Sequence, residues 1–141
     1  MQFKQFLESE EKKNIKTTLS KLPKAHKALV KGYKYAFQGG NTMKGDDEHI
    51  GEVDPNTKKI VVAAPWNYGR EFTILHEIGH MVYETLTPKQ KKMWAKIVKN
   101  TKDKQKQIPE ELFCMAYANT YAKHQVEIHN HEEWGKFIKS L

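Results

Sequence analysis

At 141 residues, with 38% hydrophobic residues, the chain is long enough to bury one core and too short for two ordinary domains. Its single cysteine, Cys114, excludes an internal disulfide and fits a reducing compartment, and no run of about 20 apolar residues offers a membrane span. The formal charge of +7 is concentrated between Lys89 and Lys106, where eight lysines accompany one acid, Asp103, without the interleaved aromatics or motif of a specific nucleic-acid binder.

In chain order, residues 2–19 alternate charged residues with Phe3, Phe6, Leu7, Ile15 and Leu19, which predicts one or two surface helices. Pro23 opens a second helix through Val30, and Gly32 ends it. From Tyr33 the period changes to two: Tyr33, Tyr35 and Phe37 alternate with Lys34, Ala36 and Gln38, as on a half-buried strand. Gly39-Gly40-Asn41 breaks that strand, and an acidic loop with Asp46, Asp47 and Glu48 follows. His49–Val53 and Ile60–Ala64 read as two short strands joined through the turn residues Asp54-Pro55-Asn56-Thr57, hence a β-hairpin.

Pro65 ends the ladder, and Asn67 is the expected N-cap of a helix reaching about Thr85, with Phe72, Leu75, Ile78, Val82 and Leu86 at helical spacing as its buried seam. Thr87-Pro88-Lys89-Gln90 is a capping box with proline at the first helical position, so a new helix runs to about Asn100. A polar, lysine-rich loop spans 101–108. Pro109 opens a further long helix with Glu110 and Glu111 in its first turn, and Trp134, Phe137, Ile138 and Leu141 mark a short final one. There are no repeats and no linker that would split the chain, so residues 1–19 are read as an N-terminal helical segment on a domain of residues 20–141, one compact unit, expected to be monomeric.

The helix from Asn67 carries FTILHEIGHMVY, residues 72–83. His76 and His80 are four apart, so they differ by about 40° in azimuth and about 6 Å along a helix, and both rings reach one tetrahedral ion. Glu77 projects about 100° from His76, beside the open position of that ion, where it can take a proton from a bound water. This is HExxH, in which each residue has a chemically required role and zinc is the expected cofactor. Gly79 would let another backbone approach close to the metal.

A three-ligand site needs one more donor. Glu84 lies too far along the same helix. Glu110 and Glu111 differ by about 100°, so only one of them faces the ion. His124, His129 and His131 are alternatives. Leu86 stands six residues after His80, where a metzincin carries its third histidine, which excludes that class.

PEELFCMAYANTYA, residues 109–122, resembles the proline-glutamate-glutamate-aromatic helix of the anthrax lethal factor-type zincins, a family that includes the bacterial Pro-Pro endopeptidases. LPKAHKALVKGYKYAF, the hairpin GEVDPNTKKIVV and HEIGH occur upstream in the same order, so the resemblance covers residues 20–141. It implies an α+β, zincin-like single domain: a small mixed sheet with a β-hairpin packed against the HExxH helix, and a helical C-terminal part. It further implies that His76, His80 and Glu111 bind zinc, that Glu77 is the general base, and that Glu110 is a neighbouring acid. The chain departs from the family pattern at Lys104, where a tyrosine usually serves the oxyanion, and at Met115, where some members have an acid one turn after the ligand glutamate.

The expected activity is zinc-dependent endopeptidase cleavage of a peptide or protein substrate, with an inactive zincin-fold interaction module, or a phage-type repressor-cleaving metallopeptidase, as the alternatives. Ile60–Ala64 directly precedes the metal helix, and in zincins such a strand forms the sheet edge beside the cleft. Substrate would then add to that edge, with small Ala63 and Ala64 admitting the peptide and Trp66 walling one subsite. The lysines from Lys89 to Lys106 are read as a solvated face that also draws acidic substrates. The N-terminal MQFKQFLESEEKK lacks an apolar run of signal-peptide length, so no membrane association and a cytoplasmic location are expected, secretion requiring a leader removed beforehand.

Overall fold

The computed structural model describes residues 15–38, 51–63, 69–99, 108–122 and 132–141. Within them the order is α1 (residues 15–20), α2 (Lys24–Leu29), β1 (Lys34–Gln38), β2 (Gly51–Asp54), β3 (Lys59–Ala63), α3 (Gly69–Thr85), α4 (Pro88–Lys99), α5 (Pro109–Tyr121) and α6 (Glu132–Lys139). The described residues are therefore helix-rich with one small mixed sheet, compatible with the α+β expectation.

The β2–β3 hairpin forms because Asp54 organises its turn: Oδ1 accepts from the amides of Asn56 and Thr57 at 3.0 and 3.4 Å. Lys58 takes a left-handed φ of 52° to bring the chain back into β3. The two strands pair antiparallel, Val53 opposite Ile60. β1 joins the other side of β3 in parallel, Tyr35 opposite Ile60, giving the order β1-β3-β2.

That order corrects one expectation. The strand preceding the metal helix is the central strand, and Val61 has Ala36 on one side and Glu52 on the other. Its ladder bonds are taken over this stretch, so a peptide cannot add there. Ala63 lies in this central strand, paired with Gln38, while Ala64 and Trp66 lie outside the described residues. β1 and β2 are the edges of the described sheet.

The hydrophobic core is organised on α3. Phe72 through Gly79 are all buried, so the helix is enclosed instead of showing one wet face. It covers β2 and β3 on one side and makes its most extensive interface with α5 on the other. Gly79 permits that second contact: a Cβ there would stand 3.0 Å from the Cα and 3.3 Å from the Cβ of Cys114.

α4 starts at its capping box, with the Thr87 amide donating to Gln90 Oε1 at 2.9 Å and the Gln90 amide donating to Thr87 Oγ1 at 3.1 Å. Its buried Trp94 sits edge-on to Phe113 and Trp134 and tilted against Phe137, which clamps α4, α5 and α6 together. The indole Nε1 donates to the Pro109 carbonyl at 2.7 Å and so holds the first residue of α5. Lys89, Lys92, Lys96 and Lys99 are exposed along α4.

The segment expected to be a surface helix turns inward where it is described: Ile15 and Thr18 are buried, and Thr18 Oγ1 donates to Glu71 Oε2 at 2.8 Å, tying α1 to the first turn of α3. The helical spacing Ile15, Thr18, Leu22 is the inward face. Residues 2–14, the acidic loop, His49, Asn67, the loop 101–107 with Lys104, and His124, His129 and His131 lie outside the described residues. Among those described, no helix is long and apolar enough to cross a membrane.

Candidate metal centre

α3 and α5 build the site between them. Phe72, Leu75 and Val82 anchor α3 in the core, and this register presents His76 and His80 to α5 with ring centroids 5.2 Å apart. Pro109 begins α5, so Glu110 and Glu111 fall in its first turn, where free backbone amides favour negative charge. The Glu111 carboxylate then meets both rings: Oε2 is 3.2 Å from His76 Nε2 and Oε1 is 3.3 Å from His80 Nε2.

Those separations suit a metal. Donors held about 2.0–2.2 Å from a tetrahedral ion stand about 3.4 Å apart along its edges. The Glu111 carboxylate stands at about that distance from one nitrogen of each histidine, and a set of two imidazoles and a carboxylate is one that divalent ions take.

Glu110 serves the same centre from behind. His80 Nδ1 donates to its Oε2 at 2.7 Å, and in a neutral ring this contact would leave Nε2 free to ligate a metal. His76 has no such support: its Nδ1 is buried and without a hydrogen-bond partner among the described residues. Met115, one turn beyond Glu111 on α5, has only a thioether to offer.

Charge follows this geometry. Burial works against a charged His80 ring, but hydrogen bonds from Glu111 and Glu110, with the charges of Glu111 and Glu77, outweigh it and raise the ring to about 9. The hydrogen bonds of His76 and His80 hold the Glu111 carboxyl far below its ordinary range. Burial pushes the Cys114 thiol well up, and the charges of Glu111, Glu110 and Glu77 add to the effect. Glu77 is itself buried at 6% exposure, on α3 between the two histidines, and its charge is felt by His80. A helix that spends two of its enclosed positions on His76 and Glu77 carries a desolvation cost that packing alone does not explain.

Two residues of the site were not singled out by the motifs. Cys114 lies with His76 and His80 in a group whose donor atoms are all within 4.8 Å of one another, and such a group could hold a metal. Its helical offset of three from Glu111 was the available signal. Trp94 donates to the Pro109 carbonyl, one residue before Glu110, and nothing local in the sequence announces that contact. Of the other ligands weighed, Glu84 is exposed at the far end of α3.

No protein-family model matches this chain, and neither does any curated protein or solved structure.

Proposed function

We propose that the chain is a zinc-dependent endopeptidase of zincin type, as its likeness to the lethal factor-type family implies. The observation that carries this reading is the convergence of His76 Nε2, His80 Nε2 and the Glu111 carboxylate at 3.2–3.3 Å, with Glu77 buried on the same helix. The mixed sheet and its hairpin against α3 support a zincin-like fold.

Zinc bound by His76, His80 and Glu111 would polarise a water and the scissile carbonyl. Glu77 takes the proton of the attacking water and delivers it to the leaving amine. Glu110 holds the His80 ring in the tautomer that presents Nε2. An extended peptide is best accommodated along β2, the sheet edge that packs on α3, by main-chain hydrogen bonds. The exposed lysines of α4, a helix without a single acid, favour acidic substrates.

One observation favours a second reading, a zincin-fold interaction module without turnover: the unsupported Nδ1 of His76 weakens the ligand shell. A degenerate peptide library treated with zinc-reconstituted wild type and Glu77→Ala separates the two. Cleavage by wild type that drops about 10²–10⁴-fold in the variant, with zinc content and fold retained, supports the peptidase. Equal cleavage by both places the activity elsewhere, and no cleavage by either favours the module.

A further inference from the structure

Cys114 is three residues beyond Glu111 on α5, one turn on and about 60° away in azimuth, so it shares the side of the helix that faces α3. It is 0% exposed, and its Cα, Cβ and Sγ are the nearest atoms to a Cβ built on Gly79, the residue directly before His80. Sγ and a ring nitrogen from each of His76 and His80 lie within 4.8 Å of one another. The sulfur is therefore next to the centre, on the buried side.

A second observation concerns the histidine opposite. His80 is locked at Nδ1 by Glu110, but the buried Nδ1 of His76 has no partner among the described residues. That nitrogen leaves the His76 ring oriented by its Nε2 contact with Glu111 and by packing. Tetrahedral coordination asks for donors about 3.5 Å apart, and the sulfur and the two rings already stand within 4.8 Å of one another.

We propose that Cys114 is a fourth, thiolate donor to the metal held by His76, His80 and Glu111, giving this site a closed form beside its open one. The inference rests on reading the site as a metal centre. In the closed form the sulfur stands where a water would, so four protein donors leave no position for substrate. Forming the metal–sulfur bond releases the thiol proton to solvent and displaces the water, and the reverse exchange restores the open site. A set of two nitrogens, one oxygen and one sulfur takes thiophilic ions, zinc or cadmium, in preference to magnesium, calcium or manganese.

Cobalt(II) reports sulfur ligation directly, through an intense near-ultraviolet sulfur-to-metal charge-transfer absorption. The wild-type protein loaded with cobalt should show that absorption at about one cobalt per chain. Cys114→Ala should keep its cobalt, lose the absorption, and bind cadmium about tenfold or more weakly. Wild type that binds one cobalt without the absorption overturns the proposal and leaves the metal centre standing. Wild type that takes up neither cobalt nor cadmium overturns both. Since the deciding spectrum is that of the unaltered chain, a variant that fails to fold does not affect the outcome.

Discussion

His80 Nδ1 donates to Glu110 Oε2 at 2.7 Å, the shortest contact at the centre, while the neighbouring Glu111 spans both Nε2 atoms. In the proposed metal centre two adjacent carboxylates would have different duties, one orienting a ligand and one being a ligand. Glu110→Gln should weaken zinc binding by about 10–100-fold while leaving the stoichiometry at saturation intact. Glu111→Ala should cost more. Competition against a chromophoric chelator measures both, and a Glu110 variant that loses zinc while the Glu111 variant binds normally would reverse the assignment.

The metal-free protein should lose stability as pH rises from about 6.5 to about 9. His80 is raised from 6.5 to about 9, so its contribution is complete below 6.5 and disappears as the folded ring loses its proton. Glu111 is lowered from 4.5, so its contribution is complete above 4.5 and is lost as pH falls toward its folded value. Both are fully present only between 4.5 and 6.5. Zinc needs an unprotonated ring, so its apparent affinity should rise through the upper window where stability falls. Urea unfolding of chelator-treated protein across these pH values checks the sign, and a flat response from 6.5 to 9 contradicts it.

Gly79→Ala should separate the two helices that carry the ligands. The new Cβ would lie 3.0 Å from the Cα of Cys114, and backbone cannot swing aside as a flexible side chain can. The overpacking cost of about 1–3 kcal/mol exceeds the gain of up to about 1 kcal/mol from alanine's better helix propensity. Thermal unfolding should show a net loss, accompanied by weaker zinc binding. A more stable variant with unchanged affinity would mean that α3 and α5 tolerate a wider spacing.

Much of this fold was legible because its signals are local. The capping box at Thr87 and Gln90, the proline starts at Pro23 and Pro109 and the Asp54 turn are each set by a few neighbouring residues, and each appears as read. The HExxH spacing likewise fixes where two rings stand on any helix. Strand order was not legible, because alternation along Ile60–Ala63 is the same for an edge and a centre, and only the arrival of Lys34–Gln38 from far upstream decides. Helix spacing also marked the apolar seam of α3 without revealing that His76 and Glu77 are enclosed as well, which depends on α5 coming close at Gly79.

Trp94 is the clearest case of positioning from a distance. Trp94→Phe retains most of the aromatic cluster but removes the donor to the Pro109 carbonyl. It should cost about 1–2 kcal/mol of stability. Zinc affinity should fall too, since α5 loses the bond that holds the turn bearing Glu110 and Glu111. Unchanged affinity in a destabilised variant would assign Trp94 to the core alone.

Zinc content of the purified, zinc-reconstituted protein, measured beside His76→Ala, His80→Ala and Glu111→Ala of verified fold, tests the centre most directly. About one zinc per chain is expected in the wild type, near none in the two histidine variants, and an affinity at least about tenfold lower in Glu111→Ala. A wild type without stoichiometric zinc, or histidine variants that keep it, would contradict a metal centre at this site.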